Sequence, residues 1–225
     1  MSTADRIERE RLAKRTRILD AARELFVERG IAAVTLREIA QRIEYSTTAI
    51  YVQFKDKQDL VDQMVREDFA AFANALHAAA ANVADPIERL GRLGDAYVEY
   101  ALTLPRHYQL LFMTPLDAAS DAPEVHEPTG IDGYRVLLET VRECIAAGRF
   151  RAELRDADGI AQAIWATVHG VVSLLIVMGD TDAFHWRTPA VIADLALGSL
   201  VRGLLADPTA PQRPKRTARP APRRR

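Results

Sequence analysis

The sequence predicts an all-helical protein of about nine helices in two domains. Apolar residues recur at a 3.6-residue spacing in one segment after another, and no segment of any length alternates with a period of two. Helix punctuation also falls where those segments start and stop: Asp85-Pro86 and Thr188-Pro189 stand at starts, Gly30 and Gly148 at ends.

Residues 1–15 alternate basic and acidic side chains, a pattern suited to a frayed helical arm held by pairs one turn apart. Such an arm either lays Arg and Lys on phosphate or is simply a solvated extension. From Thr16 to Arg29, Ile18, Leu19, Ala22, Leu25 and Phe26 form one face, and Phe26 is expected under Ile39, Ile50 and Phe54. Thr35, followed three residues on by Glu38, is a capping box for a short helix carrying Leu36, Ile39, Ala40 and Ile43. Ser46 and Thr47 then supply fresh N-cap candidates for a second short helix with Ile50, Tyr51 and Phe54. Two short helices joined by a tight turn, the second with small hydroxyl side chains on its first turn, can bring that first turn close to duplex DNA.

A long helix follows from Lys57 to about Ala80, with Leu60, Met64, Val65, Phe69, Phe72 and Leu76 on one face. Asp85-Pro86 opens the next, which Leu104-Pro105 breaks. Arg106 to Met113 is apolar nearly all round and so expected to be buried. Thr114 to Gly130 reads as a long loop, and helix resumes from Ile131 to Ala147. Asp156 to Met178 and the segment after Thr188-Pro189 are the last two helices. Beyond Asp207 the chain is rich in Pro and basic residues and has no large apolar side chain, a composition that reads as disordered.

Length and composition are those of a soluble globular protein, with 225 residues, 48% apolar and 27% charged, enough for a buried core. The single Cys144 excludes an internal disulfide, and the charged N-terminus does not read as a secretory leader, so the expected compartment is cytoplasmic. The longest apolar run, Val171 to Met178, is too short to span a bilayer. Charge is unevenly placed. Residues 1–57 hold 12 Lys and Arg against 9 Asp and Glu, residues 58–207 hold 11 against 22, and residues 208–225 hold 7 against none. Basic ends on an acidic body suit ends that approach nucleic acid, although such imbalance also serves solubility alone.

No catalytic set emerges: the five His lack ligand spacing with each other or with Cys144, and there is neither a phosphate loop nor a nucleophile elbow. No metal, cofactor or enzymatic activity is expected.

Thr35, Ile39-Ala40, Ser46, Ile50-Tyr51, Phe54 and Lys57 together resemble the DNA-binding half of TetR-family (tetracycline-repressor-like) transcriptional regulators, over roughly Thr16 to Leu60. Two positions depart from the family pattern, with Glu44 where the turn has Gly and Thr48 where the recognition helix has Gly or Pro. The resemblance implies a helix-turn-helix domain over 1–57, an effector-binding and dimerisation domain over 58–207, and a basic tail over 208–225. Thr47, Thr48 and Tyr51 are expected to face the major groove with Gln53 at its edge, and Arg37 to reach a base. Thr35, Ser46, Tyr51 and Lys57 are expected on phosphates. For Tyr51 the competing role is core packing.

The body resembles the subgroup of that family with Trp, His and Gly together, here Trp165, His169 and Gly170. Trp165 and His169 lie four apart and share a helix face, and Gly170 is expected to admit a close neighbouring helix. An effector pocket lined by Tyr97, Tyr100, Tyr108, Phe112, Tyr134, Leu138, Trp165 and His169 is one reading, and plain packing of the same residues is the other. The implied function is a homodimeric repressor on a palindromic duplex DNA operator, released by a small hydrophobic ligand, with no membrane involved. Two alternatives stay open: a dimeric DNA-binding protein without an effector, and a helical carrier or enzyme with a vestigial DNA-binding head.

Overall fold

The computed structural model describes residues 3–115, 129–179 and 185–206. Most of the expected loop from Thr114 to Gly130, and the basic tail, lie outside the described residues. The described chain forms α1 (Thr3–Arg29), α2 (Leu36–Arg42), α3 (Thr47–Tyr51), α4 (Lys57–Ala80), α5 (Pro86–Thr103), α6 (Pro105–Met113), α7 (Thr129–Ala146), α8 (Ala157–Met178) and α9 (Pro189–Leu204). There is no strand among the described residues, only one isolated antiparallel bridge between Phe150 and Leu205. Most helix ends differ from expectation by a residue or two, as fraying termini do. The exceptions are α3, which stops at Tyr51 before reaching Phe54, and α1, which runs unbroken from Thr3. An Arg11–Glu8 pair at 2.8 Å and the Arg9 guanidinium on the Asp5 carbonyl at 3.2 Å support the added turns.

The chain packs as two units, Met1–Ala71 with Leu104–Gly130, and Phe72–Thr103 with Ile131–Arg225. By packing, the division comes within α4, and α6 belongs to the first unit. The first unit's core gathers Ile18, Phe26, Ile39, Ile50, Phe54, Leu60 and Met64 with Leu110 of α6. Phe26, Ile39 and Ile50 are fully buried, as the sequence pattern requires. An apolar helix such as α6 must bury its surface somewhere, and α1 supplies the partner.

In the second unit α5 packs on α8 and α9, and α8 on α9. Asp156 caps α8, accepting from the Gly159 amide at 3.1 Å. Close approach is made at Gly94, where a Cβ would stand 2.9 Å from Leu197 Cδ1. Gly170 does not play that part: a Cβ there would meet nothing within 4 Å, which corrects the sequence expectation. A second correction concerns α8. Taken as a helix of 22 residues instead of as its longest apolar run, it is long and apolar enough to cross a membrane. Core helices of soluble proteins meet the same criterion, and α8 has α5 and α9 packed against it.

Candidate functional site

The first unit builds α2, a turn and α3 from local chemistry. The Thr35 hydroxyl accepts the Glu38 amide at 3.3 Å, while the Thr35 amide and hydroxyl both donate to Glu38 Oε2 at 2.8 Å. Those bonds, with Arg29 at 2.9 Å, hold the Glu38 carboxyl down to about 2. Both of Thr35's donors are thus engaged inside the capping box. At the turn, Glu44 adopts φ +59°, the left-handed conformation that favours glycine. Tyr45 follows, pinned by Arg17, whose guanidinium lies 5.2 Å above its ring and donates to its hydroxyl at 3.2 Å. Ser46 then caps α3 by accepting the Ala49 amide at 3.2 Å.

On α3, Ile50 enters the core while Thr48 is exposed and Tyr51 is 57% exposed. Tyr51 is therefore not a core residue. Arg37 and Ser46 are exposed, and Thr47, Gln53 and Lys57 are half-buried. Lys57, first residue of α4, sits 3.4 Å from the Ala32 carbonyl, and burial lowers its pKa while Glu38 opposes the shift. Of the expected contact residues, Thr35, Arg37, Ser46, Thr48 and Tyr51 are exposed, and none is fully buried. Sequence reading passes over Val52, the C-cap of α3, which is 76% exposed. An apolar residue in a helical pattern is taken for core by default, although counting from Ile50 turns it outward.

In the second unit Tyr97, Trp165 and His169 come together. The Trp165 indole donates to the Tyr97 hydroxyl at 3.2 Å, and His169 Nδ1 lies 3.4 Å from the same oxygen. Burial lowers the His169 pKa. Tyr97 and Tyr100 both meet Phe72 edge-on, each with centroids 5.2 Å apart, and Tyr134 stands 5.8 Å from Trp165. Leu138 packs on the core of Leu90, Val141, Cys144 and Ile160. Tyr108 and Phe112 belong instead to the first unit, where Tyr108 is fully buried and Phe112 packs edge-on against Phe69 at 5.9 Å. Cys144 is buried and its thiol is pushed up to about 12, which leaves it no nucleophilic character. Among the described residues no three His, Cys, Asp or Glu side chains converge to hold a metal.

The sequence profile of bacterial regulatory proteins of the tetR family matches residues 18–64, and that of the tetracyclin repressor-like C-terminal domain matches residues 90–186. The HTH-type transcriptional repressor KstR2 of Mycobacterium tuberculosis (strain H37Rv) is 31% identical over 162 residues, covering 68% of this chain and 77% of the repressor. The HTH-type transcriptional repressor AcnR of Corynebacterium diphtheriae is 26% identical over 172 residues, covering 75% and 84%. A solved tetR-family regulatory protein from Rhodococcus RHA1 superposes with a TM-score of 0.70 at 24% identity over 86% of this chain and 98% of that one.

Proposed function

Because the chain belongs to the tetR family of bacterial regulatory proteins and is a DNA-binding transcriptional regulator rather than an enzyme, we propose that it acts as a homodimeric repressor released by a small hydrophobic ligand. The observation that carries the proposal is the surface around α3, where Arg37, Ser46, Thr48 and Tyr51 face solvent over a core closed by Ile50. Residues 1–57 serve as the DNA-reading part, 58–207 as the effector-binding and dimerising part, and 208–225 as a basic tail. One recognition helix reads too few base pairs for useful specificity, so two copies sit about 34–36 Å apart on a palindromic operator. Thr47, Thr48, Tyr51, Gln53 and Arg37 face bases, and Ser46, Tyr51 and Lys57 hold phosphates. Thr35 joins the phosphate contacts only by giving up one of its bonds to Glu38.

Exposed apolar side chains on the last two helices support dimerisation: Leu174 and Val177 on α8, Val191 and Leu195 on α9. A four-helix interface with the symmetry mate would cover them. Cytoplasmic residence follows from the need to reach the chromosome. For the effector, support comes from the Tyr97–Trp165–His169 cluster, a few hydrogen-bonding groups in apolar surroundings of the kind a small-molecule site uses. A rival without an effector is favoured by the burial of Tyr97 and Tyr100, which are already packed against Phe72.

Selection of bound DNA from a random pool tests the DNA-reading proposal, with a palindrome expected. A thermal-shift screen against hydrophobic ligands tests the rest. A hit that stabilises the protein and releases the selected DNA supports ligand-gated repression, whereas stabilisation by no ligand supports the rival.

A further inference from the structure

We infer that Val52, with Thr48 one turn before it, reads thymine through its 5-methyl group, so that each operator half-site carries a thymine seated against Val52. The inference rests on the DNA-reading role proposed above and assigns a base class to part of that surface.

The buried Ile50 fixes which way α3 faces. At about 100° per residue, positions two before and two after it point about 160° and 200° away from the core. Those positions are Thr48 and Val52. Helical geometry continues through Val52, whose φ and ψ are −67° and −28° and whose amide donates to the Thr48 carbonyl at 3.1 Å. The two branched side chains therefore stand one above the other on the outermost ridge of the helix. At 76% exposure Val52 is the most exposed large apolar side chain among the described residues.

An isopropyl group in that position is left mostly in solvent. It has no donor or acceptor, so it can neither hold a phosphate nor bond a base edge. The major groove presents one apolar group, the thymine methyl, and apolar side chains contact it. Thr48 adds a second methyl on the same ridge. The surroundings fit a polyanion better than an apolar protein partner, since Thr48, Tyr51 and Lys55 are exposed nearby and residues 1–57 carry 12 Lys and Arg against 9 Asp and Glu.

The test uses the full chain and the DNA it selects. Each thymine of the selected operator is replaced in turn by deoxyuridine, which removes only the methyl. Wild type is expected to bind about fourfold more weakly when the thymine facing Val52 is replaced, the effect of one buried methyl. Val52→Ala is expected to keep its thermal midpoint, bind the unmodified operator more weakly, and lose that sensitivity. Two results overturn the inference: deoxyuridine at every position leaves wild-type binding unchanged, or Val52→Ala retains the full deoxyuridine penalty. A wild-type chain that selects no sequence at all overturns the DNA-reading proposal, and this inference with it.

Discussion

Arg23 and Asp68 form a two-pronged ion pair in which both side chains are shut off from water. Arg23 Nε and Nη2 each donate to an Asp68 oxygen at 2.9 Å, at 4% and 3% residue exposure. Asp20 takes Arg23 Nη1 at 2.9 Å, and His107 Nε2 of α6 stands 3.8 Å from Asp68. One buried group thus ties α1 to α4 and borders α6. Removing one partner strands a buried charge, while removing both does not. Asp68→Leu or Arg23→Met alone is expected to cost about 3–5 kcal/mol. The double variant Arg23→Met with Asp68→Leu should recover most of that loss. Urea unfolding of both single variants and the double checks it, and additive losses would show that the pair has no special coupling.

Glu44 gives a prediction of opposite sign. Its φ of +59° puts a Cβ where L residues are strained, at about 1–2 kcal/mol, against which a glycine loses more freedom on folding. Glu44→Gly is therefore expected to stabilise the first unit by about 0.5–1 kcal/mol, and the β-branched Glu44→Val to destabilise it by at least about 1 kcal/mol. The urea midpoint should move with the slope unchanged. If glycine lowers the midpoint, Glu44 makes a compensating contact.

The contrast between Glu44 and α6 shows what could be read from the sequence. Thr35 with Glu38 and Ser46 were legible because capping chemistry acts over three or four residues, whereas the turn at Glu44 was legible only through the family pattern, which has Gly there. The Phe26–Ile39–Ile50 core was legible because helical spacing fixes an inward face. A helix apolar all round, such as the one bearing Tyr108 and Leu110, announces burial but not the surface it is buried against, so its place beside α1 was not. Gly94 and Gly170 fail for the same reason: which glycine meets another helix depends on distant residues such as Leu197.

Glu38 makes the capping box sensitive to acid. Its carboxyl is lowered from 4.5 to about 2, first by the Thr35 hydroxyl, then by the Thr35 amide and Arg29. A carboxyl depressed by folding contributes stability that is fully present above its unfolded pKa and is lost as pH falls through its folded one. The cap should hold at about pH 5 and weaken progressively from about 4.5 towards 2. Carboxyl NMR should find Glu38 titrating near the low end of that window in wild type and at higher pH in Thr35→Ala. Identical titration in the two proteins would show that Thr35 does not hold it.

The basic tail concerns affinity, not stability. Residues 208–225 hold 7 Lys and Arg and no acid. If they meet phosphates, truncation after Asp207 weakens binding evenly across DNA sequences and flattens the salt dependence by about 0.9 for each phosphate the tail had neutralised. Binding measured from low to moderate salt on selected and scrambled DNA reads both. An unchanged slope would leave the tail a solubility segment.

The apolar edges of α8 and α9 carry the dimer proposal, and charge is the sharpest way to probe them. Val177 and Leu195 are 59% and 63% exposed, so a polar replacement at either disturbs little inside the subunit. Within a dimer interface the same replacement buries an unpaired charge, which is strongly unfavourable. Val177→Asp with Leu195→Asp should therefore leave the helical signal and thermal unfolding of the subunit nearly intact while the mass in solution falls to that of one chain. Operator affinity should fall with it, on the order of a hundredfold or more, because two linked half-site contacts become one. Sedimentation and gel shift on the same samples separate the possibilities. A variant that remains dimeric shows that the interface lies elsewhere, and one that becomes monomeric yet binds the operator undiminished shows that pairing is not what gives this chain its specificity.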